Sequence, residues 1–296
     1  MLRFFLLLIQ MIVVVPSSSI FAQEDSIKLN TKRLYPVIGV TAVSYTAVMV
    51  GLSKVWYSQN TRTSFHFFND AAEWKQMDKA GHVYSTFHES MFFAQTYQWC
   101  GIRSKPALWL GAATGFAIQS SIEIFDGYAA SYGASVSDVV SNGIGSLGYV
   151  FQQLAWNETR IVPKFSFYPS TFASQRPNVL GSNMAEQIIK DYNGQTYWLA
   201  FNVNSFLKKG NKIPSWIAIS IGYGAENMIY AQDATNQQIG LNPYRKYLLA
   251  LDLDLSKINT KSKIVNQIFK RLNMIHLPGP ALELSKHGVE VHGWYY

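Results

Sequence analysis

Four long, weakly polar stretches dominate the first half of the chain, at roughly 35–57, 79–99, 105–125 and 137–156, and each has the length and spacing of a helix. All four are long enough to cross a bilayer, although Gly, Ser, Ala and Gln interrupt the Leu, Ile, Val and Phe that a spanning helix favours. Pro36 to Leu52 carries no charge and is the best candidate for a span. Lys28, Lys32 and Arg33 precede it, Arg62, Lys75 and Lys79 follow it, and Arg103 and Lys105 come next, so the charge rule sets no orientation. Taken together, the four stretches favour membrane-spanning helices over a buried soluble bundle.

From about Asn157 onward the apolar runs shorten and charges and turn residues become more frequent. Helices are expected around Met184–Tyr192 and Gln195–Leu207, and strands at Trp216–Tyr223 and Tyr247–Leu255. In the second strand Leu249, Leu251, Leu253 and Leu255 share one face and Asp252 and Asp254 the other, the pattern of a half-buried strand. Asn242-Pro243 and Pro278-Gly279-Pro280 punctuate turns. The expected fold is mainly α: a four-helix membrane-associated bundle over residues 33–157, then a smaller α+β module over 158–296.

Three of the four helices carry polar or small residues on one face at helical spacing. Asp78, His82, Ser85 and Glu89 line one side of the second; Gly111, Gly115, Gln119, Glu123 and Asp126 line the third; Asp138, Asn142, Gly145, Gly148 and Gln152 line the fourth. Such stripes are expected to face one another, with the small residues letting helix backbones approach. In apolar surroundings, ionisable groups are costly unless they pair or line a wet cavity, so a convergent cluster is a candidate site. Asp78, His82, Glu123 and Asp126 offer the ligand types of a divalent metal, and His82, Glu123 and Asp138 those of a general base and acid. Asn142, Ser85 and Gln119 complete a structural polar core. A second reading is equally physical: Asp78 caps a helix, Ser135-x-x-Asp138 is a capping box, and His82 pairs with Asp78 only to satisfy polarity. His66 and His88 lack partners at metal-ligand spacing and read as surface or interfacial.

Composition narrows the setting. The chain has 296 residues, of which 48% are hydrophobic and only 15% charged, below the ~25% of soluble domains, which excludes collagen, coiled coil and disorder. Arg3, the apolar run Phe4–Val15 and Ser17 to Ala22 have the order of a secretory signal peptide, with cleavage expected after Ala22. Cys100 is the single cysteine, so neither an intramolecular disulfide nor an N-terminal lipid-modified cysteine is available. A net charge of +7 is scattered rather than striped, which argues against nucleic acid and for attraction to anionic lipid. There is no P-loop, G-x-G-x-x-G, G-x-S-x-G or H-E-x-x-H motif. The final Trp294-Tyr295-Tyr296 is similar to the ends of outer-membrane barrels, but the second half shows too few alternating strands for a closed barrel; a peripheral outer-membrane association is compatible with it.

Three ordered motifs carry a family likeness: Asp78-Lys79-Ala80-Gly81-His82, Glu123-Ile124-Phe125-Asp126-Gly127, and Ser135-Val136-Ser137-Asp138 running on to Asn142 and Gly145. Over roughly 78–152 this order resembles the YfiM-like predicted periplasmic lipoproteins, a domain of unknown function, and more distantly the VanZ-like membrane proteins. VanZ-like proteins commonly have an Arg ahead of the Asp segment, where this chain has Tyr132-Gly133-Ala134-Ser135. The resemblance implies a cell-envelope location on the periplasmic side and a helical core, and supplies no activity. Two functions follow as expectations. One is an exported, membrane-associated structural or binding protein with membrane lipids and other envelope proteins as partners. The other is a metal-assisted hydrolase or transferase acting on a lipid or cell-wall intermediate.

Overall fold

The computed structural model describes residues 28–55, 61–208 and 210–296, and the expected signal peptide lies outside them. The chain divides into two compact units: a helical unit, which takes in Ser85–Glu158 and the chain up to Ala71, and a sheet unit, made of Ala72–Tyr84 and Thr159–Tyr296.

The helical unit is built from α1 (Thr31–Val55), α2 (Met77–Trp99, from Ser85 onward), α3 (Ser104–Asp126) and α4 (Val136–Trp156). Helix α1 begins ahead of Pro36 because the Asn30 side chain accepts the Arg33 amide at 3.1 Å and caps the first turn. Helix α4 begins at the expected capping box: Ser135 Oγ accepts the Asp138 amide at 3.1 Å. It ends on Asn157 in the left-handed conformation, φ 58°. Two apolar clusters hold the helices together. Val48, Met49, Phe92, Phe93, Ile118 and Ile122 join α1, α2 and α3, and Phe87, Ala94, Leu108, Ala112, Tyr149 and Val150 join α2, α3 and α4. Close approach depends on glycine: a Cβ on Gly111 would fall 2.3 Å from the Ala94 backbone nitrogen, and one on Gly115 2.8 Å from that of Ser90. Among the described residues one helix, over Thr31–Gly51, is long and apolar enough to cross a membrane. The buried polar stripes lower the apolar content of the other three.

The sheet unit is an antiparallel meander of six strands in the order β1-β2-β3-β4-β5-β6: β1 (Ile161–Phe167), β2 (Gln195–Asn202), β3 (Ile217–Glu226), β4 (Tyr244–Leu253), β5 (Gly279–Ser285) and β6 (Gly288–Tyr295). The unit also contains α5 (Met184–Lys190) and α6 (Lys263–Leu272). The helix expected at Gln195–Leu207 is instead strand β2 followed by a single turn at Val203–Phe206. The short apolar run Tyr197–Phe201 suits either state locally, and pairing on both sides, with β1 and β3, decides for the strand. Pro278-Gly279-Pro280 leads directly into β5 rather than standing as a free turn.

The outermost strands are brought together. The Phe165 amide donates to the Met274 carbonyl and the His276 amide to that of Phe165, so the segment before β5 lies along the open edge of β1. Tyr168, just past β1, stacks on Tyr296, just past β6, with ring centres 5.2 Å apart. Ahead of α2, Trp74, Lys75 and Gln76 take positive φ angles of 48°, 52° and 64°. This left-handed turn is held by its own unit: the Trp74 amide donates to Ala231, Lys75 pairs with Asp233, Tyr223 Oη donates to the Lys75 carbonyl, and Arg245 donates to Gln76 Oε1 at 2.5 Å.

Candidate functional site

In the helical unit the polar stripes do face inward and pair with one another. Gln119 Nε2 donates to Glu89 Oε1 at 2.6 Å, and Thr86 Oγ1 donates to Asn142 Oδ1 at 3.0 Å. Asn142 Nδ2 reaches Ser120 Oγ at 3.3 Å, and Ser90 Oγ reaches Ser146 Oγ at 3.1 Å. Glu123 Oε2 accepts the Ser135 amide at 3.0 Å, which ties the end of α3 to the start of α4. Asp70 Oδ1 accepts from Ser135 Oγ at 2.5 Å and from Ser137 Oγ at 2.9 Å. Ser85, Gln119, Glu123, Asp138 and Asn142 are all buried; Asp126, at the end of α3, is half-buried. His88 is buried too, with its ring against Phe87, which corrects its reading as a surface residue. His66 is half-exposed and lies 2.8 Å from the Tyr132 carbonyl.

Asp78 and His82 belong to the sheet unit's segment Ala72–Tyr84. Asp78 sits inside the first turn of α2 rather than capping it. Its Oδ1 accepts from Tyr192 Oη at 2.9 Å, and its Oδ2 lies 3.3 Å from Lys79 Nζ and 3.8 Å from Nε2 of the fully buried His82. A carboxylate held by a phenol and placed one turn from an imidazole can orient that ring, as an acid–base pair requires.

The sheet unit contains a second polar centre that the sequence reading did not single out. Along β4, Asp252 points inward, 4% exposed, as does Asp254 just past its end, 3% exposed, while Leu249 and Leu251 point outward, 48% and 64% exposed. The alternation was legible, but at Leu249, Leu251 and Asp252 its inner and outer sides are the reverse of the expected ones, while Leu253 is half-buried and Leu255, past the strand, is buried. Asp252 Oδ2 lies 3.0 Å from Lys164 Nζ and 3.2 Å from His276 Nδ1, and it accepts from Ser220 Oγ at 2.6 Å. Lys164 also donates to the Leu253 carbonyl at 2.7 Å. His276 stacks on Trp198, ring centres 3.8 Å apart, and Trp198 Nε1 donates to Ser166 Oγ at 2.9 Å. Burial pushes the Asp252 carboxyl up, but His276, the Lys164 charge and the Ser220 hydroxyl outweigh it and hold it down at about 2. The one sequence signal for this centre was a lone Lys164 within the apolar run Ile161–Phe167. At the β5–β6 hairpin, His292 Nε2 lies 3.1 Å from Glu283 Oε2, and with Glu290 these residues bring three potential metal-ligand atoms within 4.8 Å of one another.

Both units thus bury polar side chains beside their apolar clusters and expose a number of large apolar ones. Residues 66–153 match a family model described as predicted periplasmic lipoprotein (DUF2279). This places the chain on the periplasmic side of the cell envelope, with the apolar helix over Thr31–Gly51 compatible with a signal or a membrane anchor. No curated protein and no solved structure matches the chain.

Proposed function

We propose that the protein is a non-enzymatic, membrane-associated component of the cell envelope, with lipids and other envelope proteins as its partners. The observation that carries this reading is the outer face of α4. Val136, Val140, Ile144, Leu147, Phe151 and Leu154 recur every three or four residues and are all exposed, while the opposite face buries Asp138, Asn142 and Ser146. An apolar stripe of that length is costly in water and suited to lipid or to an apolar partner. On this account the polar stripes fix helix packing, and the likeness of the 78–152 motifs to YfiM-like and VanZ-like proteins reflects that shared interior.

A second reading takes its support from the Asp78–His82 pair. Here His82 is the general base with Asp78 beside it, in a hydrolase or transferase working on a lipid or cell-wall intermediate; Glu123, Asp126 and Asp138, grouped with them in the sequence, belong to the helical unit. The two readings separate on metal content and melting temperature of the detergent-purified protein, wild type beside His82→Ala and Glu123→Gln. The structural reading expects no stoichiometric metal and a clear fall in melting temperature for both variants, since each leaves buried partners unsatisfied at ~1–3 kcal/mol. Stoichiometric metal that is lost in His82→Ala with melting unchanged would favour the enzymatic reading instead.

A further inference from the structure

The outer face of the sheet forms a continuous apolar surface. One cross-strand row runs Leu199–Ile221–Leu249–Leu282–Val291 through five neighbouring strands, and every member is exposed, Val291 at 75%. Ile219 pairs with Leu251 in the row beside it, also exposed, and Trp294 is exposed near the end of β6. The inner face of the sheet holds Asp252, Ser220, Glu283 and, on β1, Lys164. Part of the outer face is covered within the unit, where Trp74 and Met77 pack against Tyr197, Tyr223 and Ala225; the rows just named are left bare.

Two features identify what covers them. First, the sheet curls so that its ends meet at Tyr168–Tyr296 and at Phe165–Ile275, so its apolar side faces outward over several directions. A folded partner covers one side of such a surface, whereas acyl chains surround it. Second, the strand register gathers cations at one end. The β2–β3 connection carries Lys208 and Lys212, and the segment after β4 carries Lys257, Lys261, Lys263 and Lys270. Asp254, at that same end, is buried and bonded to Asn202. Helix α6, which contains Lys263 and Lys270, exposes Ile264 and Ile268 one turn apart, the pattern of a helix lying in a headgroup layer.

We infer that the outer face of the six-stranded sheet is a lipid-contacting surface, with its lysine-rich end at an anionic headgroup layer. The inference rests on the membrane-associated reading above and names the surface and the lipid class. Its test uses the full chain carrying one added cysteine at a time, Leu251→Cys or Val291→Cys on the sheet and Ile144→Cys on α4, each labelled with an environment-sensitive fluorophore. Cys100 is buried, and the labelled wild type is the control. The probes are vesicles of phosphatidylethanolamine with phosphatidylglycerol, and vesicles of phosphatidylcholine alone. Both sheet labels should turn apolar and be quenched by spin-labelled acyl chains on the anionic vesicles, and binding should weaken on phosphatidylcholine. Lys261→Gln and Lys263→Gln should each lower vesicle affinity about fivefold, the ~1 kcal/mol per cation of an anionic surface. Sheet labels that stay in water while the Ile144 label enters lipid would overturn this inference and leave the membrane reading intact. All labels in water would overturn both. Sheet labels shielded without vesicles, with a doubled mass, would assign the face to a second copy, and equal binding to phosphatidylcholine would remove the anionic headgroup.

Discussion

Replacing Lys164 with Met tests whether the sheet interior is held together by its ionic cluster. Lys164 is 1% exposed, and its ammonium touches Asp252 at 3.0 Å and the Leu253 carbonyl at 2.7 Å. Methionine matches the stem, so little cavity opens, and the loss is electrostatic. Removing one partner of a buried pair leaves the other charge uncompensated, at a cost of ~3–5 kcal/mol, of which a Leu253 carbonyl left without its donor accounts for ~1–3 kcal/mol. Lys164→Met combined with Asp252→Leu removes both charges, so no buried charge is left uncompensated; what remains short of a partner is the Leu253 carbonyl, as in the single variant, and the donors Ser220, His276 and the Leu253 amide, at ~1–3 kcal/mol. The double variant is therefore expected to be more stable than Lys164→Met alone. Urea unfolding in detergent reads this through Trp198, whose stacking on His276 makes its fluorescence a reporter of the cluster. A loss below ~1 kcal/mol for Lys164→Met, or additive losses in the double variant, would refute the reasoning.

Acid should act through the same group. The Asp252 carboxyl lies at about 2 when folded against an ordinary 3.8, so the unfolded chain binds its proton first as pH falls. The stability it contributes is complete above about pH 4 and lost as pH falls towards 2; Lys164→Met, which removes one of the groups holding the carboxyl down, should flatten that slope in melting curves taken at stepped pH. In the helical unit, Gly111→Ala places a Cβ 2.3 Å from the Ala94 backbone and should cost ~1–3 kcal/mol by forcing α2 and α3 apart, read as a lowered urea midpoint. Gly148→Ala, where the nearest atom is a Phe87 ring carbon at 3.9 Å, should be nearly neutral in the same assay.

The helices were legible in the sequence because two signals agreed there, the recurrence of apolar positions and cap signals such as Ser135-x-x-Asp138. The inward stripes on α3 and α4 followed from the same spacing. Two things were hidden, for different reasons. Strands β1, β2, β5 and β6 are short runs whose state is decided by neighbours distant in sequence, as the pairing of Phe165 with Tyr197 and of Leu282 with Val291 illustrates. Periodicity also assigns residues to faces without saying which face is inside. For β4 the soluble-protein convention put the leucines in the core, whereas Asp252 takes the core because Lys164 and His276 meet it there. Those partners come from β1 and from the segment before β5, and no local pattern announces them.

Flotation of the full-length protein with phosphatidylethanolamine–phosphatidylglycerol vesicles on a sucrose gradient, repeated after a high-salt wash, bears most directly on the account. High salt screens the lysines and leaves apolar contact as the remaining attachment. The protein is expected to float with the vesicles and to stay with them through the wash. Recovery as a monodisperse monomer in the aqueous fraction, before or after the wash, would contradict the claim that its outward apolar faces are made for lipid.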